Sequence, residues 1–437
     1  MTTATERYWA YVDSVLSGTQ LAPQRIVRAC ERTKAMKNDK DLYLDTDTLE
    51  RFVALSERFV ISDGHTLNGD TIELMPWQVW VLGSLLSWKY VIDDGAVLKQ
   101  SWVEVARGAG KSAMAALLAI YLAIEVPGCD ISILANKQEQ SALILQSVTR
   151  FLRDTPGHAI DFDAKAKEVT IGTSSIRALA AKVNNLDGLR SRLYIIDEGH
   201  EARDDIFAKV ISALPKSRDA QMLSVSTPGG VDLGLESVYY TTRQVAEEAL
   251  RDFGKLKSVG AFLWGLDPDD KIDDRDTWVK GQPGLGHVIT TVDYERAFET
   301  YQAQNREGDW ERYQLCRYSL RSLGWISPEV IESASKKIDI MDFKGKKAYI
   351  GLDLSKSFDL SSMCIQFWEN QKATSFFFHW VPAVGARQHY RQHAQFLDIW
   401  DKRDNVEIVT TETIDYNAIR DRLLWAQEHF EFQPLTP

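Results

Sequence analysis

The residues with the plainest chemical potential lie in the segment Val103-Glu-Val-Ala-Arg-Gly-Ala-Gly-Lys-Ser112. An apolar stretch runs into a turn carrying Gly108, Ala109 and Gly110, and Lys111-Ser112 opens a second apolar stretch of helical length. A loop of this kind points backbone N–H groups and a helix N-terminus at a phosphate. The lysine reaches the terminal phosphates, and the Ser112 hydroxyl is a ligand for magnesium. The usual first glycine is replaced by Val105, and Gly-Lys-Ser alone is a weak signal; the strand–turn–helix context gives it weight.

Cleaving a phosphate needs a second, acidic element at the end of a neighbouring strand. Leu193-Tyr-Ile-Ile-Asp-Glu198 provides one. Asp197 is expected to hold magnesium, directly or through water, and Glu198 to orient or deprotonate the attacking water. The alternative is that the two acids merely favour the positive end of a helix. Two further pieces fit the same chemistry. Gln78, in Leu74-Met-Pro-Trp-Gln78, offers an amide that can read an adenine edge, although Trp77 beside it would also suit a core. Ser226 and Thr227, in Ser224-Val-Ser-Thr-Pro228, put hydroxyls where a γ-phosphate could be sensed, although Thr-Pro commonly just ends a strand. Taken in order, the four elements point to hydrolysis of ATP with Mg²⁺.

A separate carboxylate, Asp353, lies within the apolar run Tyr349-Ile-Gly-Leu-Asp-Leu-Ser355, with Asp359 on the turn that follows. Buried there, it would need a partner or a cation. A strand aspartate that leads into three successive strands and a helix suggests an RNase H-like sheet. Such sheets gather carboxylates around two Mg²⁺ or Mn²⁺ ions for phosphodiester cleavage. An aspartate capped by its own turn is the plainer alternative. Glu412 and Asp415 read as caps of the last helix. His389 and His393 stand four apart, with no glutamate after the first, and read as a solvated face.

The elements that must position these groups follow from periodicity. Residues 1–60 read as helical, with Tyr8, Tyr11, Val12, Val15 and Leu16 at helical spacing. Over 61–250 short apolar runs (Trp102–Val105, Ile131–Ala135, Leu193–Ile196, Met222–Ser226) alternate with helices, which predicts an α/β core with a mainly parallel sheet of the P-loop, RecA-like class. Residues 251–345 read as a linker or lid, acidic and turn-rich at first, then rich in Trp and Tyr. A new pattern over 346–437 gives three strands, a helix over 386–399, a short strand over 407–411 and a helix over 415–430. The sequence stops at Pro437, where a further strand is expected, so an incomplete nuclease half is expected too. With 51 basic against 62 acidic residues the net charge is −11, which argues against coating nucleic acid by net charge alone. Four scattered cysteines imply neither a zinc site nor a disulfide framework. No secretory leader and no apolar run near the about 20 residues of a membrane span is visible.

From about residue 60 onward the chain resembles the large terminase subunits of tailed double-stranded DNA bacteriophages. The resemblance rests on Trp77-Gln78, Arg107-Gly-Ala-Gly-Lys-Ser112, Leu186-Asp-Gly-Leu189, Ile195-Ile-Asp-Glu-Gly-His200, Ser226-Thr-Pro-Gly229, Trp278 with Gly281-Gln-Pro-Gly-Leu-Gly286, and Gly351-Leu-Asp-Leu-Ser355 with Asp359. The replaced first glycine and Arg107 within the loop are typical of that family. The resemblance implies an ATPase that drives double-stranded DNA into a prohead through a portal, joined to a metal-dependent endonuclease that cuts concatemeric genomes. It implies a small terminase subunit as partner and a ring, usually of five, on the portal, with a monomer in solution. It also implies work in the host cytoplasm and no membrane. By position it makes Arg107 a stabilising arginine, Ser226-Thr227 the coupling motif and Asp353 the first nuclease carboxylate. Two competing readings are a helicase-like DNA-stimulated ATPase and an assembly protein that only binds ATP. No second alternating set of strands and helices follows residue 235, against the first. A water-orienting Glu198 argues against the second.

Overall fold

Caps and apolar stripes begin the chain as helices. Thr3 caps α1 (Ala4–Leu16) by accepting from the Glu6 N–H at 3.1 Å, while Glu6 returns a bond to the Thr3 N–H. Tyr8, Tyr11, Val12 and Val15 form its buried face. Helices α2 (Gln24–Lys37), α3 (Thr46–Ser56) and α4 (Pro76–Ser87) follow, α4 opened by a proline at a position where no N–H is needed. A two-stranded antiparallel ribbon joins β1 (Leu42–Leu44) to β2 (Trp88–Tyr90). The computed structural model describes residues 2–62, 69–136, 138–180, 190–202, 204–228, 238–317, 330, 333–355, 360–382, 405–409 and 413–432. It divides into two units, Met1–Trp325 and Ile326–Pro437.

The first unit is built on an eight-stranded sheet. In chain order its strands are β3 (Gln100–Glu104), β4 (Asp130–Ala135), β5 (Phe162–Lys165), β6 (Glu168–Ile171), β7 (Ser174–Ala180), β8 (Leu193–Asp197), β9 (Gln221–Ser226) and β10 (Val259–Leu263). They lie in the order β10-β3-β9-β8-β4-β7-β6-β5. The six from β10 to β7 are parallel, and β6 and β5 add an antiparallel edge. Their sequences explain this. Leu-Tyr-Ile-Ile-Asp of β8 and Gln-Met-Leu-Ser-Val-Ser of β9 are buried at every position, as central parallel strands covered on both faces must be. The covering helices include α5 (Lys111–Glu125), apolar nearly all round and almost wholly buried, α6 (Gln138–Asp154), α7 (Asp204–Ala213) and α8 (Val238–Arg251). After β10 a satellite core forms around Trp278, Tyr294, Phe298 and Trp310, which clamps α9 (Thr291–Ala303) to α10 (Glu307–Tyr313).

The second unit has a four-stranded sheet in the order β11 (Ala348–Asp353), β12 (Ser361–Glu369), β13 (Lys372–Pro382), β14 (Val406–Val409). The first three are an antiparallel meander and β14 joins in parallel. Met363, Ile365, Phe367 and Trp380 form a core with Ile419, Ala426 and Phe430 around α11 (Tyr416–His429). After α11 the backbone returns beside the start of β11: Glu431 bridges Lys347 in parallel, and the Ala348 N–H donates to the Glu431 carbonyl at 2.8 Å. The expected helix over 386–399, with His389 and His393, lies outside the described residues, as do Leu186–Leu189, Asp359 and Glu412. No helix among the described residues is long and apolar enough to cross a membrane.

Candidate nucleotide and nuclease sites

Three adjacent parallel strands deliver the nucleotide-site residues to one edge of the sheet. β9 lies between β3 and β8, with Ser226 opposite Glu104 and Val225 opposite Asp197. The loop after β3, the acids ending β8 and Ser226-Thr227 ending β9 therefore meet at the C-terminal ends of the strands. Two residues of the loop require glycine. Gly108 (φ 81°) and Gly110 (φ 87°) are left-handed, and a Cβ on Gly108 would come within 2.9 Å of Ile289 Cδ1. Gly110 precedes α5, so the first N–H groups of that helix face the loop.

Lys111 is buried and donates to the Val105 and Ala106 carbonyls at 2.9 and 3.0 Å. Burial pushes its ammonium below the usual lysine range, opposed by the charge of Glu198. The segment after β10 grips the loop from the other side. Ala106 N–H donates to Gly281, Arg107 N–H donates to Tyr313 at 3.0 Å, and the Gln282 amide donates to the Arg107 carbonyl at 2.9 Å. The Arg107 guanidinium lies over the Tyr313 ring, 3.7 Å from its centroid. Tyr313 was invisible to sequence reasoning, because nothing local marks an aromatic that meets a residue two hundred positions earlier.

Asp197 is 5 % exposed. Burial, and then the neighbouring Glu198 charge, raise its carboxyl to about 7. Burial would raise Glu198 too, but contact with His200 and the charge of Lys111 hold it below the usual range. Glu198 sits in left-handed backbone at φ 45°, an uncommon conformation for a residue with a side chain. Gly199 makes the turn possible: a Cβ there would collide with Ser224 Oγ and approach Tyr239 Cε2 to 2.9 Å. Ser226 and Thr227 are fully buried. Gln78 is buried as well; its Oε1 accepts from the Met75 N–H at 2.9 Å, and its Nε2 faces Gly110.

A cleft of about 1290 Å³ is lined by Gln78, Arg107, Gly110, Lys111, Ser112 and Glu198 among others. Asp197, Ser226 and Thr227, all buried, are not among its lining residues. Buried Thr227 Oγ1 and Glu198 Oε2 have no hydrogen-bond partner among the described residues. Those two atoms, the two glycines and the convergent Lys111 and Asp197 fit a magnesium-bound nucleoside triphosphate. Beneath them Glu104, wholly buried, accepts from Tyr239 and from Arg243 Nε, both at 2.6 Å.

In the second unit Asp353 ends β11 on an exposed position, contrary to the expectation of a buried carboxylate. The reason is geometric: β11 lies at the edge of the four-stranded order, and Asp353 faces away from α11, as do Tyr349 and Gly351. Asp353 pairs with Ser362 and Ser362 with His379, so the three form one row across β11, β12 and β13. Ser362 Oγ lies 2.8 Å from His379 Nδ1. Burial moves the His379 imidazole below its usual range. No cluster of three or more His, Cys, Asp or Glu that could hold a metal occurs among the described residues. The row thus brings one carboxylate and one imidazole to the same sheet face.

Comparison with known proteins gives two domain families. Residues 76–248 match the terminase large subunit ATPase domain, and residues 258–436 match the terminase large subunit endonuclease domain. The crystal structure of the HK97 bacteriophage large terminase is similar in fold, with 20% identity, coverage of 87% of this chain and 78% of that chain, and a TM-score of 0.52. The large terminase of the thermophilic bacteriophage D6E in complex with ADP is 11% identical, covers 82% and 81%, and gives a TM-score of 0.38. The ATPase domain of the Thermus phage P74-26 large terminase is 17% identical, covers 52% and 92%, and gives 0.33. No curated protein matches in sequence.

Proposed function

Because the chain belongs to the terminase large-subunit family, an ATPase joined to an endonuclease in a DNA-packaging motor, we propose how its residues divide that work. Backbone N–H groups at Gly108, Ala109 and Gly110, with Lys111, hold the ATP phosphates. Ser112 and Asp197 hold magnesium, which when bound neutralises charge on the phosphates. Glu198 orients the attacking water and takes its proton, Arg107 stabilises charge developing on the γ-phosphate, and Gln78 reads the adenine edge. Ser226 and Thr227 link the state of the phosphate to motion of the protein. Asp353, with Asp359, supplies ligands for Mg²⁺ or Mn²⁺ in the nuclease. The partners are double-stranded DNA, a small terminase subunit and the portal of a prohead, engaged by a ring of five copies in the host cytoplasm.

The observation that carries this reading is the convergence of the loop after β3, the acids after β8 and Ser226-Thr227 after β9 on one sheet edge. Glu198→Gln removes the charge that orients water but leaves the cradle, so ATP binding persists while steady-state hydrolysis is lost. Lys111→Ala loses binding instead. Near-normal turnover by Glu198→Gln, or equal nucleotide affinity in the two variants, would overturn the division of roles.

A further inference from the structure

His200 holds none of the roles assigned above, yet it touches two of the groups that have one. Its side chain is 1 % exposed. Its backbone N–H donates to Ser226 Oγ at 3.1 Å, and its ring Nδ1 lies 2.9 Å from the same oxygen. Ser226 Oγ spends its own proton on the Thr227 carbonyl at 2.7 Å, so toward the ring it is an acceptor. Nδ1 also lies 3.2 Å from Glu198 Oε2, in ion-pair contact but without the alignment of a hydrogen bond. Ser226 requires that Nδ1 carry the hydrogen, and the nearby carboxylate charge of Glu198 favours it there. Nε2 is 3.7 Å from Glu201 Oε1, beyond a hydrogen bond. One ring edge therefore bonds the hydroxyl ending β9 and lies against the carboxylate after β8.

The backbone around it is equally constrained. Glu198 is held left-handed at φ 45°, a strained conformation that persists only where its surroundings enforce it. Gly199, pressed against Ser224 and Tyr239, enforces the turn, and Glu201 N–H closes it on the Glu198 carbonyl at 2.8 Å. Within that turn, the ring of His200 lies against the Glu198 carboxylate.

We propose that His200 is a positioning residue that ties the water-orienting carboxylate of Glu198 to Ser226, its Nδ1–H bonded to Ser226 Oγ while the same edge of the ring rests in charge contact with Glu198. A shift of the β9 end moves the ring, and the ring moves the carboxylate. Ser226 then governs hydrolysis without touching the reacting atoms. This rests on the reading of Glu198 as the group that orients water.

The test uses the full chain with His200→Ala, His200→Asn and His200→Gln. An asparagine amide offers its N–H near the place of Nδ1, a glutamine amide near that of Nε2. His200→Ala is expected to lower kcat about 10–100-fold, the order of effect of a small misplacement of a catalytic group. KM and affinity for a fluorescent ATP analogue stay within about threefold, the split expected when only the hydrolytic step is touched. His200→Asn recovers most of kcat and His200→Gln does not. Ser226→Ala lowers kcat in the wild-type background but adds little to His200→Ala, because one contact is lost in both. Wild-type kcat in His200→Ala, equal rescue by Asn and Gln, or multiplying effects of His200→Ala and Ser226→Ala would each overturn the proposal. If His200→Ala does not fold, the Asn–Gln contrast and Ser226→Ala on each decide it. Glu198→Gln, run alongside, separates the two failures: turnover there would sink the reading of Glu198, whatever His200 does.

Discussion

Replacing Asp197 by asparagine should stabilise the metal-free protein, and more so at pH 8 than at pH 5. Burial, with the adjoining Glu198 charge, lifts the Asp197 carboxyl from 3.8 to about 7, against the opposing effects of the Glu198 N–H at 3.0 Å and of Lys111. Below pH 3.8 the group is protonated in both folded and unfolded chains and costs nothing. Between there and about 7 the unfolded chain releases a proton that the folded protein keeps, so stability falls as pH rises. Above about 7 the penalty is complete and constant, at about 4 kcal/mol by linkage. Asparagine carries no such penalty, so its advantage should widen by about 2–3 kcal/mol between pH 5 and pH 8. Urea unfolding in EDTA, followed in the unit that holds Asp197, reads this directly. Adding Mg²⁺ and ATP should reverse the order, because the wild type then gains a ligand that the variant has lost. An advantage that is absent, or equal at the two pH values, would refute the reasoning.

Tyr313→Ala removes the ring under Arg107; a cation–π contact of about 0.5–2 kcal/mol predicts a several-fold loss of ATP turnover, while Tyr313→Phe keeps the face and stays near wild type. Gly108→Ala must adopt left-handed backbone and push against Ile289, so nucleotide affinity measured by calorimetry should fall about tenfold or more. Arg243→Ala takes the cation from wholly buried Glu104 and should cost about 3–5 kcal/mol in unfolding experiments. Whatever metal-dependent plasmid nicking the chain shows, weak by the expectation of an incomplete nuclease half, should vanish in Asp353→Ala, with ATP hydrolysis unchanged.

The strands that carry the nucleotide site were legible because each is a short buried run ending in a chemically distinctive residue: Glu104 before the loop, Asp197, Ser226. The three-strand meander was legible from three successive apolar runs joined by short turns, and its aspartate from its place at the end of the first. What could not be read depends on distant contacts. Tyr313 and Gln282 reach the loop across some 170 residues of chain or more, and His200 matters only because β9 lies beside β8. β10, Val259–Leu263, looks like any short apolar run until it is seen to pair with β3. The antiparallel edge strands β5 and β6 alternate cleanly but run only four residues each, too short for the period to stand out. The exposure of Asp353 was misread because an apolar run does not reveal which face of the sheet is covered.

The most direct test of the account asks whether two separate centres do two separate jobs. Wild type, Glu198→Gln and Asp353→Ala would be supplied with proheads, ATP, magnesium and double-stranded DNA, and DNase-protected DNA and cut ends counted in the same reaction. Protected DNA is expected from wild type and, given pre-cut DNA, from Asp353→Ala, with none from Glu198→Gln, and any new ends are expected to be lost in Asp353→Ala. Protected DNA from Glu198→Gln, or new ends made at the wild-type rate by Asp353→Ala, would contradict it.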